Sequence, residues 1–292
     1  MYKMLDSSKF KERIIEKAQK LGASIAGITC LDALKNSPSY ELYSKINKCS
    51  EANSDIRQKG DVADKNKWPS DAVSIVIIGV EHNINNPELD WWDGKGTPGN
   101  RLLIKITKEL SEWINHTFSV RTYQLPYFVE KGGIFLKDAA VLAGLGCIGK
   151  NNLVITPEYG PRIRFRAILL NCEVEPANPI DFNPCDDCHQ PCRKSCPEKV
   201  FQNDLYSGNA SGQVLLPGTD GTYDRTTCNI KMQKDIEDAL KAIYTNEKDY
   251  NVIQQHINEF EDSNIMPKPG NKLSNFWVKY CRRCELSCMV GQ

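Results

Sequence analysis

Seven of the twelve cysteines in this 292-residue chain fall into short spacings, and an eighth stands between the two groups they form. Cys185, Cys188, Cys192 and Cys196 occupy twelve consecutive residues, CDDCHQPCRKSC, with Pro197 directly after. Cys281, Cys284 and Cys288 read C-x2-C-x3-C near the end of the sequence, and Cys228 lies alone between the groups. Thiolate is a soft ligand that suits iron–sulfur clusters, zinc and Cu(I), and such spacings let neighbouring sulfurs converge on one centre without distant folding. C-x2-C pairs also serve structural zinc, so spacing alone leaves both chemistries open. A disulfide framework fits less well. The opening MYKMLDSSKFKERIIEKAQ is a charged amphipathic helix without the apolar stretch of a signal peptide or a twin arginine, and a cytoplasmic chain keeps its thiols reduced.

The first run resembles the bacterial ferredoxin pattern C-x2-C-x2-C-x3-C-P, in which three cysteines hold one 4Fe–4S cluster and the fourth reaches a second. It departs by one residue, because Gln190 and Pro191 widen the middle gap to three. Eight thiols suffice for two four-cysteine clusters, and a run ending in Cys-Pro is a habit of cluster loops rather than of zinc knuckles.

The elements that must position these thiols follow from periodicity. Phe10, Ile14, Ile15 and Ala18 recur at helical spacing from Ser7 to Leu21, with Ser7 or Ser8 as N-cap and Gly22 as the stop. Ala23 to Cys30 reads as a short strand, and Asp71 to Val80, apolar nearly throughout, as a strand buried on both faces. Residues 36–64 are polar and irregular, with Cys49 an ordinary free cysteine. The loop from Glu81 to Gly99 carries Trp91 and Trp92, which plug a core edge or cap a flat ligand. Leu103, Ile106, Leu110 and Ile114 place a helix over residues 101–117; Val120 to Tyr127 reads as a strand and Ile134 to Leu142 as a helix. Leu153 to Thr156 and Arg164 to Leu170 read as strands joined by the turn from Pro157 to Pro161. The segment from Lys231 to Glu261 reads as two helices of a solvated insertion over the clusters. Gly144, Gly146 and Gly149 match the letters G-x-G-x-x-G, but they follow a helix rather than a strand, so a dinucleotide site is not expected.

Lysine plus arginine and aspartate plus glutamate both number 37, so the formal net charge is zero and nucleic-acid binding has no global electrostatic support. No run approaches the ~18 apolar residues of a membrane span. A soluble, cytoplasmic protein of one large or two ordinary domains is expected.

The ordered set AGLG-x-IGKN (143–151), YGPR-x-R (159–164), the four-cysteine run with its Cys-Pro, a lone Cys228 and the terminal C-x2-C-x3-C resembles the epoxyqueuosine reductase family, whose catalytic architecture reductive dehalogenases share. The resemblance spans roughly residues 8–288. It implies an α/β (α+β) corrinoid-binding domain of nitroreductase-like type over residues 1–175. A ferredoxin-like domain with two 4Fe–4S clusters would occupy residues 176–292, with the helical insertion near 230–262. It assigns Cys185, Cys188, Cys192 and Cys288 to one cluster and Cys196, Cys228, Cys281 and Cys284 to the other. Gly144, Leu145, Gly146, Lys150 and Asn151 fall where the family lines the corrin, and Tyr159, Gly160 and Arg162 fall on the following turn. Glu130 stands at the place of the aspartate that serves as general acid, about fourteen residues before AGLG.

Three departures accompany the resemblance. Cys147 replaces the tryptophan that follows AGLG and becomes a candidate contact of cofactor or substrate, Ile134 to Lys137 reads IFLK where the family has a VLER-like segment, and the sequence stops four residues after Cys288. Cys30 and Cys172, at the ends of apolar strands, are expected to be unreactive core residues. His82, His116 and His256 show no metal spacing, and His189 lies inside the cluster loop, where it is a candidate hydrogen-bond partner of a cluster sulfur. The implied activity is an oxidoreductase taking electrons from a low-potential donor such as ferredoxin or flavodoxin, through two clusters, to a bound cobalamin that reduces a small or nucleoside-type substrate. tRNA enters as a partner through the relatives alone. Two rivals are a corrinoid-free ferredoxin-like electron carrier and an activator that reduces the corrinoid of a partner protein.

Overall fold

From Ser74 to Glu81 the sequence SIVIIGVE sets apolar, mostly β-branched side chains on both sides of an extended backbone, and this strand sits between two partners in the sheet. The computed structural model describes residues 7–41, 68–83, 87–92, 97–125, 127, 133–202, 223–243 and 278–292. Four strands pair in the order β1 (Ile25–Cys30), β2 (Ser74–Glu81), β6 (Ile163–Leu170) and β3 (Thr122–Gln124), every pairing antiparallel. Ile77 of β2 lies opposite Gly27 on one side and Ala167 on the other.

Side chains alternate across a strand, so the sheet has two apolar faces. Val76, Ile78, Val80, Ile168 and Leu170 face α1 (Ser7–Lys20) and α4 (Pro98–Phe118), which bury Phe10, Ile14 and Ala18 and Leu103, Ile106, Leu110 and Ile114. Ile75, Ile77, Phe165, Ala167 and Leu169 face the other way, toward Leu31 and Leu34 of α2 (Leu31–Lys35) and Ala139 and Ala140 of α5 (Leu136–Leu142). Each fully buried aliphatic side chain contributes about 1.5–3 kcal/mol. The expected burial of β2 on both faces is therefore met by helices, around an antiparallel rather than a parallel sheet.

Local signals place the ends. Thr97 caps α4 by accepting from Asn100 N at 3.3 Å, with Pro98 in the first turn, and Ser119 closes the helix in the left-handed region at φ 55°. Cys30, half-buried, accepts from Ala33 N at 3.4 Å and so caps α2. A four-residue helix, α3 (Pro38–Glu41), follows; Cys49 lies outside the described residues. The edge strand is shorter than the expected 120–127: pairing opposite Leu170–Ile168 ends at Gln124, two residues before Pro126, which has no N–H to add to a ladder.

Two expectations change in detail. Val154–Ile155 (β5) does not join the main sheet but pairs back on Cys147–Ile148 (β4) as a hairpin, with Thr156 and Gly160 exchanging backbone bonds of 2.9 Å across the next turn. The helix expected from Lys231 begins earlier, as α7 (Arg225–Ile243), and takes Cys228 into its first turn. Trp92 is buried and bonds backbone to backbone with Val278 at 3.0 and 2.7 Å, while Lys279 lies 4.4 Å over the ring of Trp91; the pair plugs the joint with the C-terminal segment. No helix among the described residues is long and apolar enough to cross a membrane.

Candidate functional site

The electrostatic neighbours of Cys192, Cys228, Cys284 and Cys288 sort the eight thiols into two sets. Cys192 feels the charges of Cys288, Cys185 and Cys188, and Cys288 those of Cys185 and Cys188. Cys228 feels Cys196 and Cys281, and Cys284 feels Cys196, Cys228 and Cys281. The groups cross the chain: Cys288 joins the first loop, and Cys196 leaves that loop to join the C-terminal pair. Cys185, Cys192 and Cys288 are buried, and the other five half-buried.

The backbone around these thiols is built to hold them. Gln190, the extra residue of the widened gap, takes a left-handed conformation at φ 56° and donates its N–H to Cys188 Sγ at 3.4 Å; Pro191 then starts α6 (Pro191–Lys194), which carries Cys192. Lys150 N points at Cys185 Sγ across 3.5 Å, and Asn183 Oδ1 accepts from Cys185 N at 3.3 Å. The short helix α8 (Arg283–Leu286), between Cys281 and Cys288, packs on α6. Asp224 accepts from Thr227 N at 2.9 Å and from Thr227 Oγ1 at 2.6 Å, fixing the start of α7 where Cys228 sits.

Burial raises the thiols of Cys192, Cys228, Cys284 and Cys288 above the ordinary range, and neighbouring thiols push the same way. A thiol raised in this way favours its protonated form, and a coordinated metal deprotonates a thiol outright. Two sets of four cysteines, the first with amide N–H groups of Lys150 and Gln190 already aimed at its sulfurs, fit a pair of iron–sulfur clusters.

The residues expected to line a corrin lie at the joint between sheet and cysteine loops. A Cβ on Gly144 would stand 2.7 Å from Asn178 O, on the linker that bonds beside β1 through Ala177 N and Ile28 O at 2.8 Å. Leu145 packs into the α2–α5 core layer. A Cβ on Gly146 would stand 2.1 Å from Ile155 O, so glycine is what lets the hairpin close. Cys147 is buried with Ile155, Cys185 and Cys288, and burial pushes its thiol up to about 12. Lys150 O accepts from Arg193 Nε at 2.7 Å. Tyr159 is half-buried, its hydroxyl raised to about 12 by burial and by Glu158. Gly160 lies against the C-terminal loop, where a Cβ would meet Val290 O at 1.9 Å, and buried Arg162 donates to the carbonyls of Cys288, at 3.2 Å, and Val290.

Asn151 differs from these neighbours. It is 2% exposed, its Oδ1 accepts from Leu153 N at 3.2 Å, and its Nδ2 has no partner among the described residues. That buried donor fits a carboxamide oxygen on the rim of a corrin. Glu130 lies outside the described residues.

Sequence reasoning missed a buried charged network. His82, just past β2, meets Glu285 at 2.6 Å through Nε2; Arg282 Nε lies 2.5 Å from Asp90 Oδ2 and 3.0 Å from Glu285 Oε2; Arg164 of β6 pairs with Asp90 and donates to Tyr280 Oη. The ligand atoms of His82, Asp90 and Glu285 lie within 4.8 Å of one another, a spacing that would suit a metal ion, but two guanidiniums already supply the positive charge there. The available signal was the pair Arg282 and Glu285, charged residues threaded between the terminal cysteines.

No family model matches the chain. Its sequence is 30% identical over 148 residues to an epoxyqueuosine reductase of Lactococcus garvieae, covering 51% of this chain and 38% of that protein. It is 36% identical over 102 residues to the epoxyqueuosine reductase of Gloeobacter violaceus, covering 35% of this chain and 31% of the relative. A tetrachloroethene reductive dehalogenase of Sulfurospirillum multivorans is 39% identical over 65 residues, 21% of this chain and 13% of the relative. The chain thus spans less than two fifths of the length of these curated relatives. Among solved structures, epoxyqueuosine reductase from Streptococcus thermophilus superposes with a TM-score of 0.50 at 20% identity, over 88% of this chain and 81% of that one. An epoxyqueuosine reductase bound to an epoxyqueuosine-modified tRNA-Tyr stem loop superposes with a TM-score of 0.51 at 21% identity, over 72% of this chain and 54% of that one. In sequence the chain is similar to epoxyqueuosine reductases and, over a shorter stretch, to reductive dehalogenases, and its mixed α/β fold is that of the epoxyqueuosine reductase structures.

Proposed function

We propose that this chain is an iron–sulfur reductase. Cys185, Cys188, Cys192 and Cys288 hold one 4Fe–4S cluster, and Cys196, Cys228, Cys281 and Cys284 hold a second. The clusters would relay electrons from a low-potential carrier such as ferredoxin or flavodoxin to a cobalamin, which Gly144, Leu145, Gly146, Cys147, Lys150, Asn151, Tyr159, Gly160 and Arg162 would hold, for reduction of a small or nucleoside-type substrate in the cytoplasm. The observation that supports this reading is that the electrostatic neighbours of Cys288 are Cys185 and Cys188 of the first motif, while those of Cys228 and Cys284 include Cys196 from that motif, a crossing found in two-cluster ferredoxins.

A bound cobalamin would supply cobalt at a potential that only a very reducing donor reaches, and cysteine-ligated clusters extend to about −700 mV. The chain's own contributions are orientation, exclusion of water and a proton. Asn151 Nδ2, buried without a partner among the described residues, would hold the corrin rim, the closed hairpin would form the wall next to Cys185, and Glu130 would supply the proton, a role typically worth ~10²–10⁴-fold. The tRNA stem loop bound to one relative supports a nucleoside-type substrate, while zero net charge gives a whole tRNA no general attraction.

Anaerobic reconstitution with iron, sulfide and cobalamin tests the reading. It requires about eight iron and eight sulfide per chain together with cobalt; bound zinc without sulfide would overturn it. Glu130→Gln should leave iron, sulfide and cobalt loading unchanged while slowing turnover.

A second reading, an electron carrier without a corrinoid of its own, is favoured by one observation. The close approaches at Gly144, Gly146 and Gly160 are taken up by the chain's own Asn178, Ile155 and Val290. Titration with cob(II)alamin, followed by the EPR change from base-on to base-off, separates the two readings. Asn151→Leu is the informative variant, since it removes the free donor, whereas Gly146→Trp would disrupt the hairpin itself.

A further inference from the structure

Arg282 stands between Cys281 and Cys284, yet its guanidinium is gripped from the sheet side. Nε reaches Asp90 Oδ2 at 2.5 Å and Glu285 Oε2 at 3.0 Å, and Nη2 bonds Glu285 Oε1. Arg282 is 7% exposed, Asp90 2%, Glu285 8% and His82 3%, so the grip is dry. Both acids are themselves held, Asp90 by Arg164 and Glu285 by His82 at 2.6 Å. Burial, with the charges of Arg282 and Arg164, lowers the His82 pKa from the ordinary imidazole value despite the opposing pull of Glu285; a carboxylate only accepts, so His82 Nε2 carries the hydrogen and donates it.

A guanidinium is a rigid planar fork, and fixing Nε and Nη2 fixes where Nη1 points. Nη1 is buried and has no hydrogen-bond partner among the described residues. A buried N–H of a charged group without an acceptor is rare in a native protein, and each such group calls for an explanation. The acceptor missing among the described residues is one that a cluster on the second thiol set, beginning at the adjacent Cys281, would bring, because the sulfurs of a cysteine-ligated cluster carry negative charge and accept hydrogen bonds.

We propose that Arg282, clamped by Asp90 and Glu285, donates a hydrogen bond through Nη1 to a sulfur of the second cluster and thereby raises that cluster's midpoint potential. The inference rests on the two-cluster reading and goes beyond it by making Arg282 a positioning and tuning residue for one cluster only. Stabilising the more negative, reduced state is what a charged donor at sulfur does.

The test is an EPR-monitored redox titration of the anaerobically reconstituted full chain, unmutated and as Arg282→Lys, which keeps the charge and loses the fork. The expected result is unchanged iron and sulfide, one midpoint shifted to more negative potential and the other unmoved. Unchanged midpoints in a fully loaded Arg282→Lys protein overturn the inference and leave the two-cluster reading intact. Absence of iron and sulfide from the unmutated protein defeats that reading and the inference with it. Should Arg282→Lys fail to retain its second cluster, the unmutated protein labelled with 15N-arginine decides: a weak 15N hyperfine coupling at the reduced second cluster supports the bond, and its absence overturns it.

Discussion

Ser37 donates to Asp138 across 2.9 Å inside the α2–α5 layer, where the carboxyl is 1% exposed and burial pushes its pKa up to about 6. An acid whose folded pKa lies above its unfolded one binds more protons when folded, so stability falls as pH rises between the two values. From 3.8 to about 6 the loss amounts to ~3 kcal/mol, complete above the upper value and absent below the lower. Asp138→Asn should therefore be more stable than the parent at pH 8 and lose that advantage near pH 4, measured by urea unfolding at both. Cys147 belongs to the same scale. As the fifth thiol near the first quartet it is protonated at neutral pH, with burial pushing its pKa up to about 12, so slow alkylation by iodoacetamide is the expected behaviour of this side chain.

At the scale of elements, the turn after β5 and the C-terminal loop act as one piece. Gly160, at φ 57°, lies against Val290 O, and Arg162 donates to the carbonyls of Cys288 and Val290. Gly160→Ala should lift the loop that presents Cys288, with loss of about half of the reconstituted iron while far-ultraviolet circular dichroism stays unchanged. Deletion of residues 281–292 removes thiols from both quartets and should abolish both clusters; one intact cluster in the truncated chain, by iron count and EPR, would refute the crossed assignment. Much of this arrangement was legible in the sequence. The periodicity of Phe10, Ile14 and Ala18 and of Leu103, Ile106, Leu110 and Ile114 marks the helices, because burial on one face leaves a 3.6-residue trace. The cysteine spacings marked the loops. What spacing could not show was pairing between distant segments. The return of β5 onto β4 and the meeting of His82 with Glu285, 203 residues apart, depend on tertiary contacts that leave no local pattern. The glycines of 144–149 were visible as close-approach residues, but their partners, Asn178 and Ile155, were not.

Across the whole molecule, the charged network of Asp90, Arg164, Arg282, Glu285 and His82 ties the cysteine loops to the sheet, because three of its members come from the α/β body and two from the C-terminal motif. Removing one partner from a buried ion pair leaves an uncompensated charge and typically costs about 3–5 kcal/mol. Asp90→Ala, which strands two guanidiniums, should destabilise by that amount in urea unfolding. Lys105→Ala, which breaks an exposed pair with Glu109 at 4.0 Å, should change stability by about 0.5 kcal/mol or less. The crossing of the quartets also bears on the order of synthesis. Cys288 lies 96 residues after Cys192. At a translation rate of roughly 5–20 residues per second, the first loop waits about 5–20 s with three of its four thiols made. In that interval Cys196 is also present, and four closely spaced thiols are a donor set that zinc accepts. On the two-cluster proposal, delivery of the first cluster after Cys288 emerges, rather than capture of free metal during translation, is the expected assembly route.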